Sequence, residues 1–218
     1  MTPAAELKSE EDIGKLKLFF VECLQKFCNG KFVIDDNNRE IISDIFYWCL
    51  RVMQPEAKLD PSKGLWIYGK IGTGKSVIMR GVIEFINACW LIDSGERVNF
   101  KWRNVCRFCD DYASNGYDAL EHLPMGFDEL GTEYSPTNHL GNKLNVMSQV
   151  LSDLNDTPWG IPTIVTTNLL LEQVVERYTE RAADRIGKLF NIIYMGGKTR
   201  RDSNAFWQAL QAEQSQNY

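Results

Sequence analysis

The sequence has no surplus of positive charge, no apolar run of membrane length and only two histidines, and each lack closes a route. With 24 Lys and Arg against 29 Asp and Glu, the net charge is -5. A dedicated nucleic-acid binder would carry a basic footprint, so any such contact here must come from a local patch. A bilayer span needs roughly 20 apolar residues, whereas the stretch from Ile42 to Met53 is broken by Ser43, Asp44 and Arg51. Glu6, Glu10 and Glu11 stand where a secretory signal would be positive, so a cytoplasmic protein is expected. The six cysteines, Cys23, Cys28, Cys49, Cys89, Cys106 and Cys109, are scattered through helical stretches, which favours reduced thiols over a disulfide framework. Cys106 and Cys109 would make half a zinc site, but His122 and His139 lie far off and no second pair has matching spacing. Internal repeats and long low-complexity tracts are also missing; only the tail 211–218 reads as flexible.

What is there divides near residue 60. From residue 6 to 29 the apolar positions Ile13, Leu16, Leu18, Phe19, Val21, Cys23, Leu24 and Phe27 recur at helical spacing. Asn29-Gly30 ends that helix, and the cap-rich run Asp35 to Asn38 opens a second one over about 39–53. Pro55 and Pro61 mark a linker. From Gly64 short apolar strands alternate with helices, the pattern of a parallel sheet with crossover helices. Strands are expected at 65–68, 98–102, 123–127, 161–167 and 191–194, and helices at 77–92, 105–114, 138–154, 170–178 and 181–188. The expected organisation is a helical N-terminal segment over 1–60, an α/β domain over 61–210 and the tail.

Gly69-Lys70-Ile71-Gly72-Thr73-Gly74-Lys75-Ser76 matches the phosphate-loop pattern G-x-x-x-x-G-K-[ST] between an expected strand and an expected helix. Such glycines let the main chain turn several N–H groups onto one anion, and the helix that follows adds its positive end. Gly69, Gly72, Thr73, Gly74, Lys75, Ser76 and Val77 are the expected contacts to ATP. Lys75 would reach the terminal phosphates and Ser76 would ligate Mg2+.

Met125-Gly126-Phe127-Asp128-Glu129 delivers two carboxylates from a strand end and resembles a Walker B motif. Asp128 would hold the magnesium, through water or Ser76, and Glu129 would polarise the attacking water. Ile161 to Asn168 is a β-branched run ending in an amide; Asn168 either bonds the γ-phosphate and the lytic water or caps the next helix. Arg181 and Arg185 lie four apart on one helical face. Arg185 is the candidate to neutralise a γ-phosphate bound by a neighbouring subunit, while a salt-bridged surface helix with Glu180 and Asp184 is the alternative.

The order of phosphate loop, Asp128-Glu129, Thr166-Thr167-Asn168, Glu180 to Arg185 and Gly197 to Arg201 is similar to that of the DnaC/IstB group. The resemblance covers about Gly64 to Arg201. It implies an AAA+ type P-loop NTPase, an α/β fold with a parallel five-stranded sheet flanked by helices, preceded here by an α-helical N-terminal segment. About 20 residues follow Gly196-Gly197, too few for a full C-terminal lid domain, which puts a sensor-2 arginine in doubt. The resemblance also implies ATP bound between subunits of an ATP-dependent homo-oligomer, with Arg185 acting across the interface. Its members load a replicative helicase onto single-stranded DNA or assist a transposase, and residues 1–60 would then face the partner or pack on the ATPase core. For single-stranded DNA the best local candidates are Lys101-Trp102-Arg103 and Lys198 to Arg201 with Phe206-Trp207, either of which suits ordinary surface or core roles equally.

Two other classes compete with an ATPase switch: an adaptor that ATP merely stabilises, and a small-molecule phosphotransferase. Glu129 argues for turnover, and the combination of Asp128-Glu129 with Asn168 suits attack by water better than transfer to an acceptor.

Overall fold

The computed structural model of the chain describes residues 2–3, 10–28, 30–51, 58–91, 95–121, 125–154 and 163–200. In chain order the elements are β1 (Thr2–Pro3), α1 (Glu10–Gln25), α2 (Arg39–Cys49), β2 (Gly64–Gly69), α3 (Lys75–Cys89), β3 (Trp90–Leu91), β4 (Trp102–Asn104) and α4 (Val105–Asn115). After a 3-10 turn over Gly116–Leu120 come β5 (Gly126–Leu130), β6 (Thr137–His139), β7 (Asn142–Leu144), α5 (Val146–Asp153), β8 (Ile164–Thr167), α6 (Leu171–Tyr178), α7 (Glu180–Leu189) and β9 (Phe190–Met195).

Five strands form one sheet in the order β4-β5-β8-β2-β9, and every neighbouring pair is parallel. Strands covered on both faces need apolar side chains on both, and β2 supplies them with Leu65 and Ile67 on one side and Trp66 on the other, all fully buried. Leu65 and Ile67 join a core under α1, α2 and α3. Trp66 joins a second core under α4, α5, α6 and α7.

The first core holds a triad of rings. Phe20 lies 5.6 Å from Phe46 and 5.2 Å from Phe85, with Phe46 and Phe85 6.1 Å apart. Each such pair contributes about 0.5–1.5 kcal/mol beyond its buried area. Helix α1 reaches this core because α3 has a glycine where they meet: a Cβ on Gly81 would sit 2.8 Å from Leu24 Cα and 3.0 Å from its nitrogen. The buried stripe of α1 is Phe20, Cys23 and Leu24, whereas Leu18, expected on the apolar face, is 70% exposed.

Three expected elements differ; one of them, the strand expected over 123–127, runs instead over Gly126–Leu130, so that Asp128 and Glu129 lie within it. The helix expected over 138–154 begins only at Val146; ahead of it β6 and β7 pair antiparallel around a turn at Leu140 and Gly141, both at positive φ. Leu140, expected on the apolar side of that helix, is 91% exposed at the tip. Asn145 caps the shortened helix by accepting from Ser148 N at 3.1 Å. The strand expected over 98–102 is displaced to Trp102–Asn104, because Asn87 takes both main-chain groups of Phe100, donating to its oxygen at 3.0 Å and accepting from its nitrogen at 2.7 Å. Parts of the expected 123–127 and 161–167 strands, with His122, Leu123, Pro124, Ile161 and Pro162, lie outside the described residues, as do Pro55, Arg201, Phe206, Trp207 and the tail.

Candidate functional site

The phosphate loop leaves the end of β2, the strand flanked by β8 and β9. Ligands of open parallel sheets gather beyond the carboxyl ends of such strands. Gly74, left-handed at φ 98, is the N-cap of α3, so the first helical N–H groups point into the turn. Gly72 has φ 82, and a Cβ there would meet Thr199 Oγ1 at 2.1 Å. The chain after β9 lies against the loop, where Arg200 N donates to Gly72 O at 2.8 Å. Lys75, 7% exposed, donates from Nζ to Gly69 O at 2.8 Å and Lys70 O at 2.6 Å. Thr73 is buried and ties the loop by donating to Lys70 O at 2.9 Å.

Opposite the loop stand the two carboxylates at the end of β5. Ser76 Oγ donates to Asp128 Oδ1 at 2.7 Å, and Thr166 Oγ1, from β8, donates to the same oxygen at 2.6 Å. Arg80 donates to the other, Oδ2, at 2.8 Å. Ser76 and Arg80 are one helical turn apart on α3, which is why both reach one acid. The Arg80 guanidinium also lies 4.0 Å from the centre of the Trp102 ring. Asp128 is 1% exposed, so its charge is met by three donors rather than by water.

Glu129 sits at φ 62 on a strand whose register shifts between Phe127 and Leu130. Positive φ is uncommon for a residue with a side chain and persists only where neighbours impose it. Here Thr166 Oγ1 accepts from Glu129 N at 3.0 Å, and Thr132 donates to Glu129 O from N at 3.2 Å and from Oγ1 at 2.8 Å. Asn104, at the end of β4, donates to Glu129 Oε2 at 2.8 Å while its own Oδ1 caps α4 by accepting from Cys106 N at 3.0 Å.

A cavity of about 970 Å³ joins these parts. Gly72, Gly74, Lys75, Ser76, Val77, Glu129, Thr166, Thr167 and Asn168 line it, so the loop, the second carboxylate and the amide expected from the sequence converge. Gly69, Thr73 and Asp128 are not part of the lining. The opposite wall is made by Phe27, Cys28, Lys31, Phe32 and Val33 from the turn after α1, with Arg200. Arg200 is anchored to that turn: it donates to both oxygens of Asp35, at 2.9 and 2.8 Å, and to Val33 O at 3.2 Å. The Arg200 hydrogen bonds to its oxygens hold the Asp35 carboxyl below its ordinary range, with burial opposing them and the Asn37 amide adding to them.

Arg185 is not part of the lining. Its NH1 donates to Ser152 O on α5, and Arg181 is exposed. Of the candidate patches for single-stranded DNA, Trp102 carries Arg80 on its face, Arg103 pairs with Asp111, and Arg200 pairs with Asp35. Among the described residues no helix is long and apolar enough to cross a membrane.

Sequence reasoning missed Asn104, Arg80 and the wall made by residues 27, 28 and 31–33. Asn104 stands at a strand end immediately before a helix, and Arg80 lies one turn beyond Ser76, signals that were present. The wall had none, since Phe27, Phe32 and Val33 read as ordinary apolar positions.

The sequence matches no protein-family model and no curated protein. Its structure is similar to solved ones. A crystal structure of DnaI aligns with a TM-score of 0.54 at 18% identity, over 83% of this chain and 93% of that one. The DnaC helicase loader aligns at 0.53 and 15% identity, over 79% and 96%. AMPPCP-bound DnaA from Aquifex aeolicus aligns at 0.52 and 11% identity, over 83% of this chain and 53% of that one. This chain therefore has the fold of these proteins, an α/β fold with a five-stranded parallel sheet, as the resemblance to the DnaC/IstB group implied.

Proposed function

We propose that this chain binds and hydrolyses ATP and works in the cytoplasm as a DnaC-like helicase loader in DNA replication or in the DNA transactions of a mobile element. The observation that carries the reading is the convergence on one cavity of a main-chain phosphate cradle, Lys75, Ser76 and a Glu129 held by Asn104 and Thr166. The triphosphate would lie on the N–H groups of 72–76, with Lys75 moving its ammonium from the loop carbonyls to the phosphates. The apolar end of the cavity, at Phe27, Phe32 and Val33, suits a base ring.

Ser76 Oγ and Asp128 Oδ1, 2.7 Å apart, form the hard-oxygen pair that Mg2+ prefers. These two residues would hold the ion, which when bound neutralises charge building on the phosphates. Glu129 then takes the proton of the attacking water, and Asn168 orients that water from the end of β8. Arg185, outside the lining of its own cavity and bonded to Ser152 O, would serve the site of another copy of the chain in a homo-oligomer. A replicative helicase is the proposed partner, engaged through the N-terminal segment, with single-stranded DNA as the ligand of the assembly; a transposase would be the partner in the IstB-like variant.

The test is ATP turnover by the purified chain with and without single-stranded DNA. We expect Mg2+-dependent hydrolysis that Glu129→Gln lowers by about a hundredfold or more, with binding of a fluorescent ATP analogue retained. Binding with no turnover in the unmodified chain would make the protein an ATP-stabilised adaptor instead. Normal turnover in Glu129→Gln would remove Glu129 from the role of base. Mixing Arg185→Ala with Glu129→Gln should restore part of the activity, and no restoration would argue against sharing of sites between copies.

A further inference from the structure

Glu133 is a buried acid that the proposed chemistry does not use. It is 4% exposed and stands four residues beyond Glu129, on the loop that follows β5. Its Oε2 accepts from Gly131 N at 2.8 Å, inside that loop. Its Oε1 accepts from the Tyr178 hydroxyl and from Arg177 Nε, the latter at 3.4 Å. Arg177 NH2 also donates to the Glu133 carbonyl, so main chain and side chain are fixed together. Tyr178 is fully buried at the last turn of α6; burial first, and then the charge of Glu133, push its hydroxyl well above its ordinary pKa.

The two ends of this connection are both conformationally costly. Glu129 has φ 62 and Thr179 has φ 81, and a β-branched residue at such an angle is an outlier that its surroundings must enforce. Thr179 is the corner between α6 and α7, and α7 carries Arg181 and Arg185. From Glu129 the path runs through Thr132, Gly131, Glu133 and Tyr178 to that corner without a gap in hydrogen bonding or covalent chain.

We propose that Glu133 is a positioning residue whose carboxylate joins the loop carrying Glu129 to the α6–α7 corner, so that nucleotide at the cavity sets the orientation of the arginine helix. The inference rests on the ATP-binding reading above. A change felt by Glu129 displaces residues 129–133, and the buried joint passes it to α7 because neither Glu133 nor Tyr178 has water as an alternative partner.

Hydrogen exchange with and without a non-hydrolysable ATP analogue tests this on the full chain. In the unmodified protein we expect the analogue to slow exchange both in 69–80 and in 171–189. In Tyr178→Phe, which removes one hydroxyl, and in Glu133→Gln, protection of 69–80 should persist while that of 171–189 falls by fivefold or more. Turnover should fall about tenfold in both with affinity for the analogue within twofold. Protection of 171–189 that survives in Tyr178→Phe overturns the joint, as does a loss of thermal stability with nucleotide coupling intact. Failure of the analogue to protect 69–80 in the unmodified chain overturns the ATP-binding reading, and this inference with it.

Discussion

Two of the cavity's walls hold their shape by opposite means. On one side the loop over 69–76 is main chain, turned by glycines, with Lys75 bonded to the carbonyls of Gly69 and Lys70. On the other, Asp128, Glu129, Thr166, Asn104 and Arg80 are side chains that position one another across β4, β5, β8 and α3. A wall of main chain depends on conformation, so it tolerates little and fails as a whole. A wall of side chains fails piece by piece, and binding and turnover can part company there.

The largest expected effect strikes the first wall. Gly72→Val would place a side chain within 2.1 Å of Thr199 Oγ1 and demand φ 82 of a β-branched residue, and Lys75→Ala removes the only buried ammonium in the described residues that lines the cavity. Either should weaken ATP binding about a hundredfold or more, near 2.7 kcal/mol, as measured by calorimetric titration. If Gly72→Val binds normally, the contrast between the walls is wrong.

Next comes Thr166→Val, of nearly the same volume, which cuts the bonds to Asp128 and to Glu129 N. Turnover should drop about tenfold to a hundredfold while affinity stays within threefold; equal losses in both would show that the second wall also serves binding. A smaller effect is expected from Arg80→Met, which keeps an apolar stem over Trp102 but leaves Asp128 one partner short. Arg80's side chain is 33% exposed, so the cost is set at about 1–2 kcal/mol after allowing for screening. That corresponds to a fall in Tm of roughly 2–8 °C in a chain of this size.

The smallest effect concerns Asp35, whose carboxyl Arg200 holds below its ordinary value of 3.8. A group with a depressed folded pKa adds stability above its unfolded value and loses it as pH falls through the folded one. The Tm difference between the unmodified chain and Asp35→Asn should therefore be constant from pH 7 to 5 and shrink only below 3.8. A difference that grows on acidification would break the assignment.

How much was legible in the sequence follows the same division. The phosphate loop could be read because its chemistry is local: four fixed positions carry the turn, the helix start and the two functional side chains. The parallel sheet was legible for a similar reason, since β2 is apolar on both faces and β8 and β9 stand out as short β-branched or apolar runs. The roles of Arg80 and Asn104 depend on which strands become neighbours, and nothing in the residues themselves orders β4 beside β5. The hairpin over 137–144 was misread because Leu140, Leu144 and Met147 happen to fall at helical spacing; Gly141 was the contrary signal. The shift of β4 came from a single side chain, Asn87, taking the main chain of Phe100 out of the sheet.

One contact in the fold has a mechanical consequence. Gly81 lets Leu24 of α1, main chain and side chain together, seat directly on the main chain of α3, and Ser76 is on the same helix as Gly81. A rod gripped that closely cannot yield at the grip. Torque applied to the solvent face of α1, at Lys15 or at the 70% exposed Leu18, is therefore delivered to the phosphate-binding end of α3, and α1 works as a handle. A ligand clamped on that handle should change the ATP off-rate without entering the cavity, which stopped-flow release of a fluorescent nucleotide would register.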